Sequence, residues 1–157
     1  MKIPDSMKKE LGAWNQGKGM DLDSWISCSG NYSLAVGYST IFCPNFIEFE
    51  EYILSADEID EAILKSIRGF EYQAGSTPKS VEWVINHLHI ADIHYGDCED
   101  LSVDKVLIIG DALKNIYEAR LSYLFPSKPC VVEFYKPEDP RDLEDYQISF
   151  WQKKHEV

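Results

Sequence analysis

Apolar positions follow a helical period through most of the chain and change to strict alternation near its end. Asp21 or Asp23 can cap a helix running from Leu22 to about Cys28. Gly30 interrupts it. Asn31 then caps a second helix to Phe42, in which Leu34, Ala35, Tyr38, Ile41 and Phe42 fall on one stripe. The same segment alternates large and small residues, as a strand would; helix is the preferred reading, and Pro44 stops it. Between Asp57 and Tyr72, Ile59, Ile63, Ile67 and Phe70 recur at helical spacing. Thr77-Pro78 is a cap followed by proline at the first helical position. The helix it predicts carries Val81, Val84, Leu88, Ala91 and Tyr95 on one face and ends at Gly96. The longest helix opens at Ser102 and runs to about Leu124, with Val103, Val106, Gly110, Leu113, Tyr117, Leu121 and Leu124 on one stripe. Ile109, Ala112, Ile116 and Ala119 widen that apolar face, which predicts the central helix of the fold.

After Pro126 and Pro129 the period becomes two. Cys130, Val132 and Phe134 alternate with Val131, Glu133 and Tyr135, and Tyr146, Ile148 and Phe150 alternate with Gln147, Ser149 and Trp151. These segments predict two paired strands. Residues 46–54 fit a short helix and a strand equally. Around Trp14, Gly17 and Gly19 read as a turn anchored by the indole; the G-x-G has no preceding strand and no third glycine for a phosphate cradle. The expected architecture is α+β: one helix-dominated domain over residues 1–157 with a C-terminal antiparallel β-hairpin.

Composition narrows the function classes. A chain of 157 residues and 18.0 kDa suits one domain, and its folded surface should be about 8,000 Å². No window approaches 18 uninterrupted apolar residues, so no membrane span is expected. The N-terminus has no apolar h-region, which predicts no secretory signal. Cys28, Cys43, Cys98 and Cys130 form no C-x-x-C pair and read as reduced thiols in a cytoplasmic protein. Cys43 and Cys130 lie in apolar runs and are expected as small core residues. The 27 acids and 15 bases leave a net charge of −12, which disfavours general nucleic-acid binding because phosphates require clustered Lys and Arg.

Candidate chemistry is densest between His87 and Cys98. On a continuous helix, His89 and Asp92 could share an ion, as could His94 and Cys98, whereas His87 and His94 stand about 10 Å apart. His89, Asp92 and His94 are thus the residues of a metal-dependent enzyme reading. Against it, H-x3-H and H-E-x-x-H are absent, and further ligands would have to come from elsewhere in the chain. A serine nucleophile lacks its G-x-S-x-G elbow, and no cofactor is called for.

Acidity carries more information. From Asn45 to Asp104, 14 acids face three bases. Phe46, Phe49 and Tyr52 interleave with Glu48, Glu50 and Glu51, and Asp57 and Glu58 follow. Exposed, these eight residues would offer a basic protein both a steering field and aromatic anchors. Packed, the aromatics would belong to the core.

Several longer patterns run through most of the chain: Trp14-Asn15-x-Gly17-x-Gly19-x-x-Leu22-x-x-Trp25-Ile26, Gly30-Asn31-Tyr32-x-Leu34-Ala35, Phe42-x-Pro44-x-Phe46-x-Glu48, and Asn86-His87-Leu88-His89-Ile90-Ala91-Asp92. In these the chain resembles small acidic bacterial proteins of the immunity type, found beside polymorphic toxins. The resemblance implies a non-catalytic protein that neutralises a toxin by contact, and it supplies no catalytic residue. The expected partner is a basic protein, and the expected state a monomer or small homo-oligomer. An oligomeric scaffold or subunit is a further alternative.

Overall fold

The computed structural model describes residues 3–94 and 98–156. Three helices open the chain: α1 (Lys8–Gly17), α2 (Leu22–Ser29) and α3 (Tyr32–Phe42). The Asp21 carboxylate caps α2 by accepting from the Ser24 N–H, and the Asn31 side chain caps α3 by accepting from Ser33 and Leu34. Helix α1 was not foreseen. It unwinds at Trp14, and Asn15 and Gln16 take φ of 55° and 59°. The expected Gly17–Gly19 turn follows with positive φ at both glycines. Leu11 is buried there, whereas Trp14 is exposed.

Residues 46–54, open from sequence, form a β-hairpin. Strands β1 (Phe46–Phe49) and β2 (Tyr52–Ser55) pair antiparallel, with Phe49 opposite Tyr52 and Glu50-Glu51 as the loop. Glu50 holds φ of 54°, and its carboxylate pairs with Arg68. Helix α4 (Glu61–Glu71) starts later than Asp57 because Asp60 is its cap, accepting from the Ile63 N–H at 2.7 Å. Asp57 accepts instead from the Asn45 side chain.

Helix α5 (Pro78–Ile85) begins as expected, with Thr77 and Ser80 forming a reciprocal capping box. It ends eleven residues before the expected Gly96, and this corrects the sequence reading. Asn86 leaves the helix and buries its amide. Leu88–His89 then become β3, pairing with Ile148 and Gln147, and Ile90–Ile93 form a 3-10 turn. Tyr95 and Gly96 lie outside the described residues. Helix α6 (Val103–Leu124) matches its expected bounds, with Val106, Gly110, Leu113, Tyr117 and Leu121 buried along one stripe. Strands β4 (Cys130–Tyr135) and β5 (Gln147–Gln152) form the expected C-terminal hairpin, and β3 extends it to a three-stranded sheet in the order β3-β5-β4.

Two apolar clusters hold these elements together. The larger joins Val106, Leu113, Tyr117 and Leu121 of α6 to Val132, Ile148 and Phe150 of the sheet, with Phe46 and Ile53 from the first hairpin. Phe46 stands edge-on to Phe150 and Tyr117 at centroid distances of 5.2 and 5.3 Å. The smaller unites Tyr52 and Leu54 with Ile67 of α4 and Val81 of α5. Period-two alternation explains the division: Ile53 faces one core while Tyr52 and Leu54 face the other. Helix α6 lies close on β4 because Gly110 has no side chain; a Cβ there would fall 2.1 Å from the Phe134 ring. Gly110→Val should therefore cost about 2 kcal/mol in urea unfolding, despite removing a helix-interior glycine. An unchanged midpoint would refute this packing.

The two sheets share no ladder. Helix α5 joins them through two side chains one turn apart, both facing inward. Glu82 is fully buried. Its Oε1 accepts from the Ile53 N–H of β2 and the Gln152 amide, at 2.8 and 2.7 Å. Its Oε2 accepts from the Gln152 N–H of β5 and from Nδ1 of His155, at 2.7 and 2.9 Å. The Asn86 amide donates to the carbonyls of Ile53 and Phe150, and its oxygen accepts from the Ser55 N–H.

Candidate functional site

A cavity of about 840 Å³ opens between α3, the β3–3-10 segment and the start of α6. Tyr38 contributes from α3, and His89, Asp92, Ile93 and His94 from the segment after α5. Asp100, Lys105 and Ile109 come from the approach to α6 and its first turns, and Glu144 and Asp145 from the loop before β5. Four carboxylates thus meet one ammonium, and Lys105 is already paired with Asp100. Among the described residues no cation lies within ion-pair distance of Asp92, Glu144 or Asp145, all three exposed. The cleft therefore presents uncompensated negative charge between low-dielectric walls, which concentrate its field.

Its histidines are fixed by neighbours. The Nδ1 N–H of His89 donates to the Glu144 carbonyl at 2.7 Å, which ties β3 to the acidic loop. The Tyr38 hydroxyl and Nε2 of His94 lie 2.6 Å apart, which ties α3 to the opposite wall. His87 turns away to the Val84 carbonyl, with its ring edge-on to that of His89. The continuous helix that would have put His89 and Asp92 one turn apart does not exist. Pairing with the free edge of β5 competes successfully for Leu88 and His89. No three His, Cys, Asp or Glu side chains among the described residues are arranged to hold a metal ion.

Nucleophile geometry is equally thin. Cys98 lines the cleft but hydrogen-bonds to no histidine among the described residues. Cys130 is partly buried and donates to the Lys128 carbonyl; burial pushes its thiol up to about 12. Cys43, expected in the core, is exposed, because the chain turns at the end of α3 and only Ile41 and Phe42 of that run pack inward. The Tyr117 hydroxyl, also raised to about 12 by burial, donates to the Ile41 carbonyl and anchors α3 to α6.

The face proposed from sequence is divided by the first hairpin. Phe46 and Tyr52 are core residues and unavailable as anchors, and Phe49 packs against the smaller cluster. Glu48 and Glu50 are exposed but compensated within the chain, by Lys128 and Arg68. Hydrogen bonds and charge from Arg68 hold the Glu50 carboxyl below its ordinary range. Glu51, Asp57 and Glu58 remain exposed. Sequence reading missed Tyr38, Lys105, Glu144 and Asp145 as cleft residues. No local signal could have joined them, since they come from segments more than thirty residues apart. No protein-family model, curated protein or solved structure matches the chain.

Proposed function

We propose that this chain is a non-catalytic binding protein that captures a basic protein by contact, in the manner of an immunity protein neutralising a toxin. One observation carries the reading: three of the four carboxylates lining the cavity, Asp92, Glu144 and Asp145, have no cation within ion-pair distance among the described residues. Opposite charge steers encounter, raising association rates by about 10–10³, and the effect falls with salt. Glu51 in the loop of the first hairpin and Asp57 and Glu58 after β2 add further exposed carboxylates. Asp92, Glu144 and Asp145 supply charge without cost to the fold, because their side chains stay in water.

The test begins with affinity capture at low salt from the cells that make the protein, followed by stopped-flow association with the captured partner. The combined change Asp92→Lys, Glu144→Lys and Asp145→Lys should slow association at least about tenfold. Reversing Glu48, Glu50 and Glu51 should slow it less, since two of these already have cationic neighbours. A partner of acidic charge, or an association rate indifferent to the cleft variant, would remove the cleft as the recognition site.

A further inference from the structure

Strand β4 is an edge of its sheet: β5 pairs with one side of it, and among the described residues no strand pairs with the other. The register decides which backbone groups this leaves. The ladder continues to Pro129, whose carbonyl accepts from the Lys153 N–H at 2.8 Å. In an antiparallel ladder every second pair is hydrogen-bonded, so Val131, Glu133 and Tyr135 turn their N–H and C=O groups toward β5. Those of Cys130, Val132 and Phe134 point outward, and no group of the described residues hydrogen-bonds to them. The side chains of these three stay inside: Val132 belongs to the larger cluster, with Cys130 and Phe134 packed against it. Free donors and acceptors spaced along an extended backbone fit one kind of occupant, another extended backbone.

The side chains beside the edge select its charge. Glu133 and Tyr135 project on the face away from α6, and both are exposed. A cavity of about 400 Å³ opens there between α5 and the sheet, lined by Trp83, Glu133, Trp151 and Lys79 among others. The Trp83 indole donates to one oxygen of the Glu133 carboxylate at 3.2 Å. Lys79, the cation of that cavity, lies over the Trp151 ring at 4.3 Å instead, so Glu133 has no cationic partner among the described residues. A strand added antiparallel to β4 sets one residue opposite Glu133 in a non-hydrogen-bonded pair, where side chains lie closest. A lysine or arginine at that place meets the carboxylate. A second copy of the chain does not supply one. Two-fold pairing centred on β4 sets Glu133 opposite or diagonal to its own counterpart, and each copy brings a net charge of −12.

We propose that the β4 edge takes up an extended segment of a partner protein as a fourth, antiparallel strand, with a lysine or arginine of that segment opposite Glu133. This edge lies across the sheet from β3 and the acidic cleft, and the proposal does not rest on the cleft being a recognition site.

The probe is the peptide Lys-Val-Lys-Val-Lys-Val-Lys, titrated into the full chain and followed by amide NMR. In the proposed register its lysines share the face of Glu133, and its valine N–H groups aim at β4. Binding should slow hydrogen exchange at Cys130, Val132 and Phe134 and leave Val131, Glu133 and Tyr135 as they were. Methylating the valine nitrogens should abolish binding, whereas methylating the inner lysine nitrogens, which aim away from β4, should not. Glu133→Lys, made at an exposed position, should weaken binding at least about fivefold without moving the melting temperature. The triple cleft variant should bind the peptide as the unaltered chain does, which separates this edge from the cleft. Absence of binding, binding that leaves the three amides unprotected, equal binding of the two methylated peptides, or indifference to Glu133→Lys would each overturn the proposal. Protection of the same amides that rises with protein concentration and needs no peptide would do so too, by making a second copy the occupant.

Discussion

Glu82→Gln should destabilise the fold by about 3–5 kcal/mol, although it changes one oxygen to nitrogen. The carboxylate lies at 0% exposure and accepts from four donors, two on each oxygen. Whichever way the new amide is placed, its NH2 group faces two N–H donors. Those donors then lose their acceptor inside the protein, at about 1–3 kcal/mol each. For a domain of this length the loss corresponds to roughly 10 °C or more in melting temperature. Thermal and urea unfolding of the variant check it, and a loss below about 1 kcal/mol would show that the cluster contributes little to stability. His155 shares the carboxylate, so His155→Ala should reproduce part of the effect by leaving Oε2 with one donor.

Asn86→Asp should cost about 3 kcal/mol, more than its small change in shape suggests. The Asn86 NH2 group donates to two backbone carbonyls, Ile53 at 2.9 Å and Phe150 at 3.1 Å. A carboxylate there would face two carbonyl oxygens with no proton between them. Only the bond from the Ser55 N–H would survive. Asn86→Ala would lose all three bonds but bring no repulsion, so the aspartate variant should be at least as unstable as the alanine one. Chemical denaturation of both variants decides the order; an aspartate variant more stable than the alanine one would mean that the amide does not bridge the two strands. Because Glu82 and Asn86 brace the same pair of strands, their combined loss should depart from the sum of the single losses.

Both residues looked ordinary in sequence. Glu82 was one acid among 27, and Asn86 read as an interior position of a helix expected to continue to Gly96. Their roles explain why that helix stops. Asn86 is worth more with its amide buried between two strands than as another helical residue, and the chain behind it is then free to pair with β5. The histidine cluster was read on a helix for the same reason. Once Leu88 and His89 join a sheet, the three-residue spacing of His89 and Asp92 loses its meaning. The first hairpin was ambiguous because Phe46, Ile47, Phe49 and Tyr52–Leu54 are apolar at nearly every position. Strands buried on both faces carry no alternation to read.

What the sequence determined by itself was local in range. Capping side chains at Asp21, Asn31 and Thr77 set where three helices begin, because each bond spans only two or three residues. A 22-residue apolar stripe set α6, and strict alternation set the C-terminal hairpin. These elements suffice for the α+β class. Tertiary structure decided the rest: the end of α5, the third strand, the burial of Phe46 and Tyr52, and the gathering of Asp92, Lys105, Glu144 and Tyr38 around one cleft. The physical reason is common to all four. Each depends on groups distant in the chain competing for the same donors, strand edge or apolar surface, and such competition leaves no periodic trace in sequence.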